Sequence, residues 1–206
     1  MDEKVNLTVE YEIEVKDRNG KLLRSLRGNS KSLLKNFMLW LRQWFTIYSG
    51  ASYAENWTAT TTGGTTATFP YNKTSCQGVW GYLGGSTGNA TVGIVVGSGD
   101  TAVTPDDYTL ASKINHGTEA GQLLHEEQTV EAVQVSGNEV SFRVTRTFTN
   151  NSGGDVTGKE LGMMLSITDQ SGGGKRLLLL RDVLESAITV QDGKALTVRY
   201  TFKVTV

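Results

Sequence analysis

The two ends of the chain share one pattern. Val5, Leu7, Val9, Tyr11, Ile13 and Val15 alternate with Asn6, Thr8, Glu10, Glu12 and Glu14, while Leu196, Val198, Tyr200, Phe202, Val204 and Val206 alternate with Thr197, Arg199, Thr201, Lys203 and Thr205. A period of two places alternate side chains on opposite faces of a strand, and a helix cannot bury one side with it. Both ends therefore predict strands with one apolar face, and their matching patterns make pairing or packing between the termini an expectation. After the first strand, Asp17, Arg18, Asn19 and Gly20 supply an Asn-Gly turn, a strong hairpin signal, and residues 21–26 return as its second strand.

Gly28, Asn29 and Ser30 then end the hairpin and offer N-cap candidates for a helix expected over residues 31–48. Leu33, Phe37, Trp40, Leu41, Trp44 and Tyr48 fall on one stripe at helical spacing, and Leu34, Met38 and Phe45 widen it. Such an apolar helix covers an open face or end of the β structure, or its second face meets another subunit; the pattern leaves both readings open. The second half reads as strands divided by turns. These strands are expected over 129–135, 139–149, 156–167, 175–184, 187–190 and 196–206, with turns rich in Gly, Asn and Ser between most of them.

Eight or nine strands, one helix, 24 Gly and only 2 Pro predict a mainly β chain. The expected architecture is an antiparallel two-sheet β-sandwich, jelly-roll or Ig-like, with one apolar α-helix after the N-terminal hairpin and a single domain spanning 1–206.

Charge is informative through its distribution. Twenty Lys and Arg against twenty-one Asp and Glu give a net charge of −1, so no basic excess favours nucleic acid or an anionic membrane. Between residues 49 and 105, only Glu55, Lys73 and Asp100 are charged. The charge-poor, Thr/Gly-rich insertion 49–88 is expected to lie against other chains, and 90–96 to resume the core as a buried strand. Candidate interface residues are Met38, Phe45, Trp57, Phe69, Tyr71, Trp80 and Tyr82. In an alternative reading, Trp57, Trp80 and Tyr82 stack on sugar rings.

Chemistry is thinly represented. One Cys, Cys76, provides neither an intramolecular disulfide framework nor a Cys-built zinc site. His116 and His125 could join Glu126 or Glu127 around a metal, but the His-Glu-x-x-His signature is absent and both read as solvated surface histidines. Asp106 and Asp107 after Pro105 read as a capped helical turn rather than a carboxylate pair. Arg146 enters only as a possible inner-face member of its strand. No catalytic residue, metal or cofactor is expected, and the chain reads as a non-enzyme. The N-terminus lacks signal-peptide character, and 33–48 is too short and polar to span a bilayer, so synthesis in the cytoplasm without export is expected.

Two stretches also carry a family likeness. Residues 93–114 run from a glycine-bounded strand into a turn containing Thr104, Pro105, Asp107 and Leu110. This segment resembles one recurrent in uncharacterised structural proteins of tailed bacteriophages and related viruses. Residues 146–162 and 178–184, with the terminal strand, look like the matching second half, and the helix after an opening hairpin fits too. The likeness spans most of the chain, but it consists of turns and strands and carries no chemistry. It implies a virion component: a capsid decoration or minor head protein, or else a tail or fibre component. A carbohydrate- or receptor-binding module is the alternative. A homo-oligomer is expected, bound to other virion proteins such as the major capsid protein and located in the virion.

Overall fold

The computed structural model describes residues 6–46, 56–69 and 81–205. It is mainly β, with antiparallel sheets and one short helix. The opening hairpin is β1 (Asn6–Lys16) and β2 (Leu22–Ser30), with Gly20 at φ +81° in the left-handed conformation that its turn requires. Next come α1 (Lys35–Thr46), a small hairpin of β3 (Trp57–Thr60) and β4 (Thr66–Phe69), and the buried β5 (Gly93–Gly97). Three short strands follow: β6 (Leu124–His125), β7 (Thr129–Val130) and β8 (Gln134–Ser136). Four long strands finish the chain: β9 (Glu139–Thr149), β10 (Val156–Thr168), β11 (Gly174–Val190) and β12 (Ala195–Thr205).

The matching ends do pair. β1 and β12 are antiparallel neighbours from Asn6 opposite Thr205 to Lys16 opposite Ala195. The sheet they centre runs β2-β1-β12-β9, and β6, β7 and β8 share the far side of β9. The second sheet runs β11-β10-β5. One apolar cluster draws Ile13, Phe148, Val198 and Tyr200 from the first sheet and Ile94, Leu161, Leu180 and Ile188 from the second, so the two sheets share a core. β10 is buried along nearly its whole length, and a second cluster packs Leu165, Ile167, Leu177 and Leu179 against the β3–β4 hairpin and α1.

Several expectations change here. The strand expected to stop at 184 continues through to Val190: Glu185 and Ser186 lie exposed in an irregularity where the register with β10 shifts, after which Ile188, Thr189 and Val190 pair with Gly158, Thr157 and Val156. The helix begins at Lys35 rather than 31, because Leu33 bridges Leu180 and the Leu34 amide bonds the Leu179 carbonyl, holding 33–34 on the β11 edge. The described helix is not uniformly apolar. Among its described side chains, Asn36 and Gln43 are the buried ones; Asn36 donates to the Thr60 carbonyl at 2.9 Å, while Met38 is exposed. Phe37, Leu39 and Trp40 are half-buried against the second cluster.

Within the described part of the charge-poor insertion, the β3–β4 hairpin turns Trp57, Ala59, Ala67 and Phe69 into this chain's own second cluster. Trp57 lies opposite Phe69 in register and stacks on it at 4.6 Å, and both rings are buried. Their neutrality serves this chain's own core. Replacing the indole should therefore leave a cavity: Trp57→Ala is expected to lose about 3–5 kcal/mol in urea denaturation. A loss below about 1 kcal/mol would mark the ring as a surface group instead.

Candidate functional site: the open apolar end and its buried polar supports

The inner face of the large sheet is built in cross-strand rows. From one end, the first aligns Leu7, Val204, Val140 and Val135 across β1, β12, β9 and β8. The second aligns Val9, Phe202 and Phe142, with the two Phe rings stacked at 5.0 Å. Then come Tyr11, Tyr200, Val144 and Val130; Ile13, Val198 and Arg146; and finally Val15, Leu196, Phe148 and His125.

The smaller sheet does not cover all five rows. The last rows are closed, with Phe148 and Val198 fully buried, whereas Leu7 is 55% and Val135 73% exposed. Between this uncovered end and α1 lies an apolar pocket of about 450 Å³, lined by Leu7, Phe142, Phe202 and Val204 on one side and Phe37 and Trp40 on the other. Leu179, Leu180 and Met163 form part of its floor. Val130 and Val133, at 60% and 63% exposure, extend the apolar surface onto the sheet margin.

The closed end is held by charge. Arg146, completely buried, donates from Nε to the Glu126 carbonyl at 2.9 Å and from Nη1 to the Val92 and Ile94 carbonyls, both at 2.9 Å. Its Nη2 reaches the carbonyls of Ser86 at 3.1 Å and Asn89 at 2.6 Å. Five backbone acceptors match the five donors of a guanidinium. Burial still lowers its pKa to about 10, against the opposing pull of Glu126. A side chain at Gly85 would strike this guanidinium, so the close passage of the chain there needs glycine.

The histidines correct the expectation of solvated surface groups. His125 is fully buried, edge-on to His116 at 5.7 Å and to Phe148 at 4.9 Å, and His116 is half-buried. The His116 Nδ1 accepts the His125 backbone amide at 3.0 Å. Burial, then the Arg146 charge, pushes the His125 pKa down to about 3. Among the described residues, no cluster of three His, Cys, Asp or Glu is arranged to hold a metal ion.

A second buried ion set ties residues 98–112 to the smaller sheet. Glu160 accepts the amides of Gly99, Ala111 and Ser112 and the Arg181 Nε at 2.9 Å. Arg181 also donates to Asp107 at 2.8 Å and to the carbonyl and hydroxyl of Thr101. Burial works to raise the Asp107 pKa, but bonds from Thr104 and Arg181 outweigh it and hold the carboxyl low. The expected capped helical turn is instead a turn closed by Thr104 and Asp107 bonding each other, with Asp107 committed to Arg181. On the opposite face of β11, Asp182 accepts the Tyr200 hydroxyl at 3.0 Å and the Ser32 hydroxyl at 3.2 Å at the base of a 630 Å³ cleft. Burial raises the pKa of this carboxyl.

No family model, curated protein or solved structure matches this chain. Its geometry therefore carries the reading. Of the seven residues singled out in the sequence, Met38 and Tyr82 are exposed, each 57%, while Trp57 and Phe69 are interior. Tyr71 and Trp80 lie outside the described residues, as does the Phe45 side chain. Neither Met38 nor Tyr82 lines the apolar pocket. The sequence reading missed Leu7, Val135 and Val140; the alternation that reveals their facing was visible, but the length of the covering sheet was not. It also missed Glu160, Arg181 and Asp182, whose partners come from distant loops and strands.

Two measurements test the supports. Arg146→Met strands five carbonyl acceptors and is expected to cost about 3–5 kcal/mol in urea denaturation. Arg146→Lys, with three donors at most, should recover less than half of that loss; full recovery would show that the charge alone matters. For His125 the sign follows from its lowered pKa: below pH 6.5 the unfolded chain binds a proton that the folded chain refuses until about pH 3. Its contribution to stability should therefore fall with decreasing pH by up to about 1.4 kcal/mol per unit across that window. His125→Leu should remove that component of the slope, read as the difference between the two proteins' pH–stability curves.

Proposed function

We propose that this chain is a structural protein that acts by self-assembly, as a capsid decoration or minor head protein in a virion. The observation that carries the assembly reading is the open apolar end. Leu7, Val130, Val133 and Val140 are all more than a third exposed and line one apolar pocket, and Val135, 73% exposed, lies in register beside Val140. Contiguous apolar surface of this kind marks a place where another surface belongs.

The shared core between two antiparallel sheets supports a two-sheet sandwich of jelly-roll or Ig-like type, a scaffold suited to repeated placement on a particle. The virion assignment itself rests on the resemblance of residues 93–114 and 146–162 to phage structural proteins. A tail or fibre position remains the alternative within that class. Of the three rings in the sugar-stacking reading, Trp57 is stacked on Phe69 in the core, Tyr82 is exposed and Trp80 lies outside the described residues. Among the described residues, no helix is long and apolar enough to cross a membrane.

Sedimentation velocity over a hundredfold concentration range, paired with mass spectrometry of purified virions, tests the proposal. Concentration-dependent assembly and recovery of the chain at many copies per virion are expected. A chain that stays monomeric throughout and is absent from particles would overturn it. Val135→Lys should weaken assembly by about tenfold or more if the open end is covered in the assembly, with an unchanged denaturation midpoint.

A further inference from the structure

The nearly neutral chain is divided into opposite charges at the two margins of its large sheet. Residues 18–31, covering the β1–β2 turn and the β2 edge, contain Arg18, Lys21, Arg24, Arg27 and Lys31 and no acidic residue. At the other margin, residues 118–139 contain Glu119, Glu126, Glu127, Glu131 and Glu139 and no Lys or Arg. The strand order puts these segments on opposite sides of the sheet.

Both margins also have exposed aliphatic groups and, among the described residues, strand edges with no further strand beside them. Among those residues β2 pairs with β1 alone, and β7 and β8 each pair with β9 alone. Leu22 and Leu23 are 48% and 47% exposed on the basic margin, the aliphatic counterparts of the exposed valines of the acidic one. Some charges have internal partners: Arg27 pairs with Glu12, Glu131 with Arg143, and Glu139 with Lys203. Lys21, Arg24 and Lys31 make no ion pair among the described residues, and neither does Glu127.

We propose that copies of this chain join head to tail, the basic β2 edge of one copy meeting the acidic β7–β8 edge of the next. This inference rests on the assembly reading above and specifies its geometry. Because every neighbour in the sheet is antiparallel, β2 and β8 run in the same direction. A second copy added in line, with its smaller sheet on the same side, therefore meets the first in parallel alignment. The interface is heterologous: two different patches meet, so repetition makes a ring if the rotation closes and a filament if it does not.

The test uses the full chain with its two margins inverted separately. Lys21→Glu/Arg24→Glu/Lys31→Glu turns the basic margin from five positive charges to a net −1, so that both margins are acidic, and Glu119→Lys/Glu127→Lys/Glu131→Lys turns the acidic margin from five negative charges to a net +1, so that both are basic. Each variant alone should associate about tenfold or more weakly than wild type at low salt. An equimolar mixture should regain assembly, because each acidic margin again finds a basic one. Wild-type association should also weaken as salt rises. Circular dichroism and denaturation midpoints close to wild type establish that the exposed substitutions leave the fold intact.

Variants that assemble as wild type does, or a mixture no better than its parts, would overturn the edge-to-edge arrangement while leaving assembly through the open apolar end standing. A wild-type chain that is monomeric at every concentration would overturn both. Restoration in the mixture distinguishes this geometry from a two-fold interface, in which each patch meets its own copy.

Discussion

A guanidinium removed from water must satisfy five donors at once, and Arg146 does so entirely with backbone carbonyls. Those acceptors lie between Ser86 and Ile94 and at Glu126, so one side chain in β9 fixes two irregular stretches over the end of the large sheet. β5 begins at Gly93, within the first stretch, and so enters the smaller sheet in a position that Arg146 helps to set. The Glu160–Arg181–Asp107 set repeats the device on the other face, holding residues 98–112 as Arg146 holds 86–94. Ionic groups here replace the regular hydrogen-bond ladder that these loops lack.

The polar supports and the apolar opening are consequences of one mismatch. The large sheet has apolar rows along its whole inner face, but the smaller sheet and its tethered loops cover one end better than the other. Where cover is complete, desolvation is deep enough to keep Arg146 and His125 dry. Where it stops, Leu7 and Val140 remain partly in water at the pocket that α1 also lines, with the exposed Val135 in register beside Val140. The hydrophobic effect that closes one end leaves a driving force for association at the other.

Strands were the most legible feature of the sequence, because alternation is written locally. The pairing of the termini followed from two matching patterns, and the turn at Asn19-Gly20 from the need for positive φ. Arg146 is more instructive. Its place after Val140, Phe142 and Val144 put it on the apolar face, but its acceptors are carbonyls, which every residue possesses, drawn from positions 20 to 60 residues away. No residue type at those positions could announce the contact. The same limit applies to Trp57 and Phe69: low charge marks a segment that avoids water without saying whether its own chain or another provides the cover. The uncovered rows escaped notice for a related reason, since the sequence gives each strand's facing but not the overlap of two sheets.

Charge on an exposed strand edge ordinarily serves to prevent pairing. The arrangement here discriminates more finely. Two basic β2 edges repel, as do two acidic β7–β8 edges, so each margin disfavours the symmetrical pairings that would use its own copy. The attractive combination left is the unlike one, and the exposed leucines and valines beside the charges give it apolar surface to remove from water. The net charge of −1 hides this sorting: five positive charges of residues 18–31 and five negative charges of residues 118–139 lie on opposite sides of one sheet. In the head-to-tail arrangement, that separation specifies direction: every copy presents one margin that can receive the next and one that can be received.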